Sequence, residues 1–411
     1  MVDSYGCKIF HSHLSLFKTM PFTLSAQNVI EYLISQKLCT PLEPASGEVE
    51  LKPAKNFNLL VTLSDGRKLL VKQERRDREG KTMGEFLAEW QIHNFWRTFP
   101  EVNHLRSYAS EAIHFDTENS IIIFNYLEKY QDLSEFYAKE NQFPSEISRS
   151  IGSALAIIHR LTMNHPDYER FFQTTDNIEG NLTPHLARGL DRITPEIFGL
   201  VPADGLKFFA LYQRYDNLGQ AIATLSAKFH PCCLTHNDLK LNNILLAGDW
   251  KPAFFQESYS GEEIVRLIDW ERGSWGDPAS DLGTIIASYL QIWLYSMVTS
   301  KATPIQESLR LAAIPLHLLQ PSITALVTTY LADFPEILEQ RPDFLELIIQ
   351  FAGLALIRSI QAILQHQRTF GNSGICMLKV AKSLLCRPQA SINTVFGMEA
   401  SDLIPNSLSI A

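Results

Sequence analysis

His236-Asn237-Asp238-Leu239-Lys240-Leu241-Asn242-Asn243 is followed, 26 residues after Asn243, by the acid of Ile268-Asp269-Trp270. A His-x-Asp-x-x-x-x-Asn loop sets a carboxylate and an amide oxygen at one rim of a cleft. Asp238 can then meet a hydroxyl proton while Asn243 ligates a metal ion. Asp269 follows the apolar run Ile264-Val265-Arg266-Leu267-Ile268, which reads as a buried strand whose end delivers a second metal ligand to the same cleft. A base for an acceptor hydroxyl and hard oxygen ligands for Mg²⁺ are what phosphoryl transfer requires. The competing reading is an Asx-rich turn ahead of an unrelated strand. The second acid disfavours it, because two independent motifs then supply complementary chemistry.

Leu234 to Leu246, Ile268-Asp269-Trp270-Glu271 and Trp275-Gly276-Asp277-Pro278-Ala279-Ser280-Asp281-Leu282-Gly283 together resemble the catalytic loop, metal loop and following helix of the aminoglycoside phosphotransferase and choline kinase group. The resemblance implies an α+β, two-lobed protein-kinase-like fold, with a small β-rich N-lobe and a larger, mostly helical C-lobe. It implies ATP and Mg²⁺ as cofactors, and Asp277 and Asp281 as structural acids, Asp281 bonding the backbone of the catalytic loop. A helix N-terminal role serves both acids equally well.

The upstream half supplies a nucleotide lobe. Leu59-Leu60-Val61-Thr62-Leu63 and Lys68-Leu69-Leu70-Val71-Lys72 flank the turn Ser64-Asp65-Gly66-Arg67 and read as a hairpin. Lys72 ends the second strand, where a kinase-like lobe places the lysine of the α- and β-phosphates, held by a glutamate of the next helix. Met83 to Phe99 reads as that helix, with Phe86, Leu87, Trp90 and Phe95 on its apolar face; of Glu85 and Glu89, Glu89 is the preferred partner. Ile121 to Glu128 resembles the strand and hinge between kinase lobes, where backbone groups of Asn125, Tyr126 and Leu127 would bind the purine. His159, on the amphipathic stretch Pro144 to His165, is expected to pack rather than react.

Some positions depart from that pattern. No Gly-x-Gly-x-x-Gly precedes the first strand; Ser46-Gly47 through Lys55-Asn56-Phe57-Asn58 stands there, with Lys52, Lys55 and Asn56 as candidate phosphate contacts. Asn237 occupies the position where protein kinases often carry Arg, which argues against activation through a phosphorylated control loop. Lys240 points the other way, since protein kinases often have Lys there to steady the transferred phosphoryl group.

A chain of 411 residues with 45% hydrophobic content can build substantial cores and supports two to three domains. Residues 1–24 are read as an N-terminal extension, 25–128 as the N-lobe, 129–389 as the C-lobe and 390–411 as a tail. Ser25 is the expected N-cap of a helix over Ala26 to Gln36. Further helices are expected at Pro321 to Asp333, Asp343 to His366 and Gly374 to Leu385, with prolines as breakers. The net charge of −9 and the mixing of basic with acidic residues give no basic footprint, so nucleic acid is excluded as a partner. Leu282 to Ser300 is uncharged, but Ser288, Tyr289, Gln291, Tyr295 and Thr299 interrupt it, so a core helix rather than a membrane span is expected. The six cysteines lack zinc or redox spacing, and no secretory signal is seen, which together point to the cytoplasm.

The function expected is ATP- and Mg²⁺-dependent transfer of a phosphoryl group to a small-molecule hydroxyl. Asp238 and Lys240 are the catalytic residues, Lys72 and Glu89 position the nucleotide, and Asn243 and Asp269 hold the metal. A cationic acceptor would be held by acids, for which Glu271 is the first choice and Asp333, Glu336, Glu339, Asp343 and Glu346 are the reserve; a solvated helix face explains that acidic stretch as well. Trp270 and Trp275 are either a cation-stacking wall or core residues. A Ser/Thr kinase acting on a peptide or protein is the alternative that Lys240 motivates. A non-catalytic nucleotide-binding scaffold is the second, which the complete acid set disfavours.

Overall fold

The computed structural model describes residues 22–40, 48–175, 203–251, 264–298 and 304–404. Most of the expected N-terminal extension, Ser46-Gly47 and the last residues of the chain lie outside them.

Side-chain alternation along one strand decides what the N-lobe can do. Strands β1 (Val49–Lys52), β2 (Phe57–Thr62), β3 (Lys68–Gln73), β4 (Ala112–Asp116) and β5 (Ile121–Asn125) form an antiparallel sheet in the order β1-β2-β3-β5-β4. Leu69 and Val71 of β3, with Ile121 and Ile123 of β5, bury one face against the helix Val29–Ser35. Ile122 and Phe124 turn to the opposite face, where Leu70 packs with Phe86 and Trp90 of the helix Glu85–Thr98. With a period of two, Lys72 emerges on this second face, opposite Asn58 on β2 and Ile122 on β5. Both faces of the sheet are therefore covered, and the lysine is directed to the side that meets the C-lobe.

The helix Glu85–Thr98 starts two residues later than the sequence suggested. Gly84 precedes it with φ +79°, a left-handed conformation that glycine adopts without strain. Its first N–H groups are met by the buried Glu74, whose carboxylate accepts from Glu85 N at 3.2 Å and Phe86 N at 3.4 Å, and from Ser120 Oγ at 2.9 Å. A carboxylate at a helix N-terminus satisfies orphan donors and complements the dipole.

Two short sheets carry the motif loops in the C-lobe. Strand β8 (Ile244–Ala247) pairs with β6 (Tyr130–Asp132) and β9 (Val265–Leu267), and β7 (Cys233–Thr235) pairs with β10 (Ser274–Gly276). Around them the helix Ser145–Thr162 packs on Leu316–Asp333, and Pro278–Tyr295 packs on Phe344–Gln367, which in turn packs on Asn372–Cys386. Pro278–Tyr295 covers most of the uncharged stretch and buries Leu282, Ile285, Ile286 and Leu290 as a core helix. Phe344–Gln367 is long and apolar enough to cross a membrane, yet 72% of its apolar window is buried within the protein, and it serves as the central C-lobe helix.

Two expectations need correction. Pro321 does not break its helix: Leu316–Asp333 runs through it, forgoing only the bond that a residue-321 N–H would give the His317 carbonyl. The stretch read as a tail from Ala390 is mostly helical over its described part. Pro388–Phe396 is a helix with Pro388 in its first turn and Gly397 (φ +74°) at its end, burying Ile392, Val395 and Phe396, and Thr324 Oγ1 donates to Phe396 O at 2.9 Å.

Helices Pro278–Tyr295 and Phe344–Gln367 approach closely at Gly283, where an added Cβ would lie 2.5 Å from Phe351 Cβ, 2.8 Å from Ala352 N and 2.9 Å from Ile348 O. Two of those three atoms are backbone and cannot turn aside. Gly283→Ala is therefore expected to destabilise the protein by about 1–3 kcal/mol, read as a lowered urea midpoint; an unchanged midpoint would show that the helix pair can separate freely.

Candidate active site

Asn237 and Asp269 both have positive φ, +61° and +60°, and these two residues turn the catalytic loop and the metal loop toward each other. The loops are joined by backbone. Ile268 N donates to Asn243 O at 2.9 Å, and Ile268 O accepts from His236 Nε2 at 2.8 Å. Asp238, Asn243 and Asp269 are thereby brought to one place by the residue that precedes Asp269.

Asp281 holds the catalytic loop from beneath, as the resemblance implies. This fully buried carboxylate accepts from His236 N at 2.7 Å and Asn237 N at 2.8 Å, and His159 Nε2 lies 3.3 Å from Oδ2. Burial raises its pKa, but the His159 contact and the charges of His159 and His236 outweigh that and hold the carboxyl below its usual range. His159 also meets Tyr330 OH at 3.1 Å, so it is a packed histidine that positions Asp281. Asp277 caps the following helix by accepting from Ala279 N at 3.1 Å, and it also receives His230 N at 3.0 Å and Arg341 Nη1 at 3.1 Å.

Within the catalytic loop, Asp238 Oδ2 lies 2.9 Å from Lys240 Nζ. Asn243 donates from Nδ2 to the Asp238 carbonyl at 2.8 Å, which leaves Oδ1 as the amide's acceptor atom, shared with Asn242 Nδ2 at 3.0 Å. An amide oxygen and a carboxylate, from Asn243 and Asp269, are hard donors of the kind Mg²⁺ takes, so the residues fit that ion.

The ion pair expected between Lys72 and Glu89 is not formed. Lys72 Nζ lies 2.6 Å from Asp269 Oδ1 and 5.1 Å from the Phe124 ring centre. Burial lowers the lysine pKa, but the charges of Asp269, Glu89 and Glu271 more than reverse that and keep it protonated; Lys72 in turn holds the Asp269 carboxyl low against burial. Glu89 is fully buried on the same face, and neither oxygen makes a well-formed hydrogen bond. Burial above all, with repulsion from Asp269 and Glu271, pushes its carboxyl up to about 8 despite the pull of Lys72. Glu89 thus stands as a reserve partner for Lys72 while Asp269 holds the lysine.

Other expected residues have local roles. Glu271, proposed for the acceptor, has Glu85, Asp269, Lys55 and Lys72 as its charged neighbours and therefore sits toward the N-lobe; burial and the two acids push it up to about 7. Lys55 is ion-paired with Glu85, Asn56 accepts from Arg75 N at 3.3 Å, and Lys52 pairs with Glu50 at 2.7 Å, so the candidate phosphate contacts are engaged within the N-lobe. At the hinge, Asn125 N donates to Glu111 O and Tyr126 N to Lys68 O, so two of the three backbone N–H groups there are engaged within the protein. Leu127 N–H has no hydrogen-bond partner among the described residues. Trp270 is a core residue, with Nε1 donating to Leu267 O at 3.0 Å and its ring edge-on to Trp96 at 5.5 Å. Sequence reasoning missed Glu74, whose partner Ser120 lies 46 residues away in the chain.

Asp238 beside Lys240, Asn243 and Asp269 on adjoined loops, and the strand-end Lys72 against Asp269 are the side chains that phosphoryl transfer calls for. The sequence profile of the phosphotransferase enzyme family, APH, matches residues 54–298, more than half of the chain, and the chain belongs to that family. No curated protein matches the sequence. Among solved structures, a choline/ethanolamine kinase family protein from Mesorhizobium loti is similar at 14% identity and a TM-score of 0.45, covering 90% of this chain and 99% of that one. The choline kinase LicA from Streptococcus pneumoniae is similar at 15% identity and a TM-score of 0.42, covering 87% and 98%. The gentamicin complex of APH(2")-IIa is similar at 14% and 0.41, covering 90% and 99%.

Because Glu89 binds its proton more tightly folded than unfolded, it stabilises the fold below about pH 4.5 and loses that contribution as pH rises to about 8. His93, pushed down to about 3 by burial, acts in the opposite sense only below about pH 6.5. Between pH 6.5 and 8 the nucleotide-free protein is expected to lose thermal stability, and Glu89→Gln to flatten that decline. An identical slope in the variant would show that the carboxyl titrates normally.

Proposed function

We propose that this chain transfers the γ-phosphoryl group of ATP, with Mg²⁺, to a hydroxyl of a small molecule in the cytoplasm. The observation that carries the reading is the tie through Ile268 of the Asp238–Asn243 loop to Asp269, opposite Lys72. In this reading Asp238 orients the acceptor hydroxyl and takes its proton as the oxygen attacks the γ-phosphorus. The bond to the β,γ-bridging oxygen breaks, and ADP leaves. Lys240, already 2.9 Å from Asp238, balances the charge that gathers there. Asn243 and Asp269 would hold Mg²⁺, which neutralises phosphate oxygens when bound. Lys72, within electrostatic reach of both Asp269 and Glu89, can exchange the first for the second and so turn to the nucleotide phosphates. The Leu127 N–H is the remaining hinge donor for the purine.

Asp238→Asn keeps the shape of the loop and removes the base, so turnover is expected to fall about 10²–10⁴-fold with ATP affinity retained. Transfer from γ-labelled ATP to a small-molecule extract measures it, and undiminished labelling would remove Asp238 from the mechanism. Asp269→Ala should instead weaken nucleotide binding only when magnesium is present, a contrast that calorimetry with and without the metal detects.

A further inference from the structure

Of the two residues that stand opposite Lys72 across the sheet, one is polar. The register sets Asn58 of β2 directly across from Lys72 of β3, with Ile122 of β5 on the lysine's other side. Directly opposite residues of an antiparallel pair share a face, their Cβ atoms about 4.5–5.5 Å apart. Asn58 therefore stands on the face that carries Lys72, and Ile122 offers the ammonium nothing to bond. Beyond Asn58, on β1, lies Lys52, which is paired with Glu50 at 2.7 Å.

An amide is a poor choice for that place on structural grounds alone. Asparagine is disfavoured in strands, and Asn58 Oδ1 is buried with no hydrogen-bond partner among the described residues. Buried acceptors are ordinarily paired, because one left without a donor weakens the fold. Both carboxylate oxygens of Glu89, on the neighbouring helix Glu85–Thr98, are in the same condition. An ammonium carries three donors, and the hydrogen bond of Lys72 among the described residues goes to Asp269 at 2.6 Å. Unused donors on the lysine thus coincide with unused acceptors on the two elements beside it. Moving the ammonium away from Asp269 would cancel both deficits together.

We propose that Asn58 is a positioning residue for Lys72: once Asp269 is given over to the metal, the ammonium is held by Glu89 from the helix side and by Asn58 Oδ1 from the β2 side. Its third N–H is then left for the nucleotide phosphates. Glu89 supplies the opposite charge, and the amide fixes the direction in which the lysine points. Because Ile122 cannot accept a bond, the hold from the sheet comes from one side. The proposal rests on the kinase reading of the site, but part of its test uses the nucleotide-free protein.

The test compares Asn58→Leu, Lys72→Met and the double variant with wild type, all as the full chain. Leucine keeps the branch at Cγ and removes the acceptor. Without nucleotide, the melting temperature of Asn58→Leu is expected to match or exceed that of wild type, since Oδ1 has no bond to lose. Affinity for a non-hydrolysable ATP analogue with magnesium, read by displacement of a fluorescent nucleotide, is expected to fall about tenfold. In the Lys72→Met background the same substitution should change affinity by less than about twofold, because the partner is already gone. A lowered melting temperature of nucleotide-free Asn58→Leu would make the amide a merely structural residue and overturn the proposal. Unchanged affinity, or an equal loss with and without Lys72, would overturn it as well. Failure of the wild type to bind the analogue would instead overturn the kinase reading.

Discussion

The grip of one buried carboxylate on two consecutive backbone N–H groups sets the rest of the site. Asp281 is fully buried and receives His236 N and Asn237 N at 2.7 and 2.8 Å, in a loop whose Asn237 is held at positive φ. Such charge-assisted bonds in an interior of low dielectric are stiff, and loss of one partner leaves a buried charge exposed to its full desolvation cost. His159 and Tyr330 back the carboxylate from the neighbouring helices. The direction in which Asp238 points is thus decided by helix packing in the C-lobe core.

Much of this was legible because it is local. The catalytic loop and the strand leading to Asp269 are contiguous patterns, and so is the strand Lys68–Gln73 that carries Lys72 near its end. Core helices followed from their periodicity, with ends displaced by a few residues where a left-handed glycine or a borrowed cap intervened. Illegible were the choices between partners distant in sequence. Lys72 could pair with either of two acids, and the structure selects the one 197 residues away over the one on the next helix. The helix at Pro388 could have been read, since proline at a first turn and glycine after the last bracket it; treating that proline only as a breaker hid it.

Charge is distributed unevenly across the cleft. Acids gather on the N-lobe side, where Glu89, Glu271 and Glu85 surround Lys72 and Lys55. Around Asp238 the nearest cation is Lys240, with Nζ 2.9 Å from Oδ2.

The indole of Trp270 touches both halves of the molecule. It meets Trp96 of the helix Glu85–Thr98 edge-on at 5.5 Å and lies 4.6 Å from the His236 ring. Sliding of one lobe across the other would have to drag this ring through close-packed aromatic neighbours. The ring therefore fixes the helix Glu85–Thr98, and with it Glu89, in register with the loop that carries Asp238.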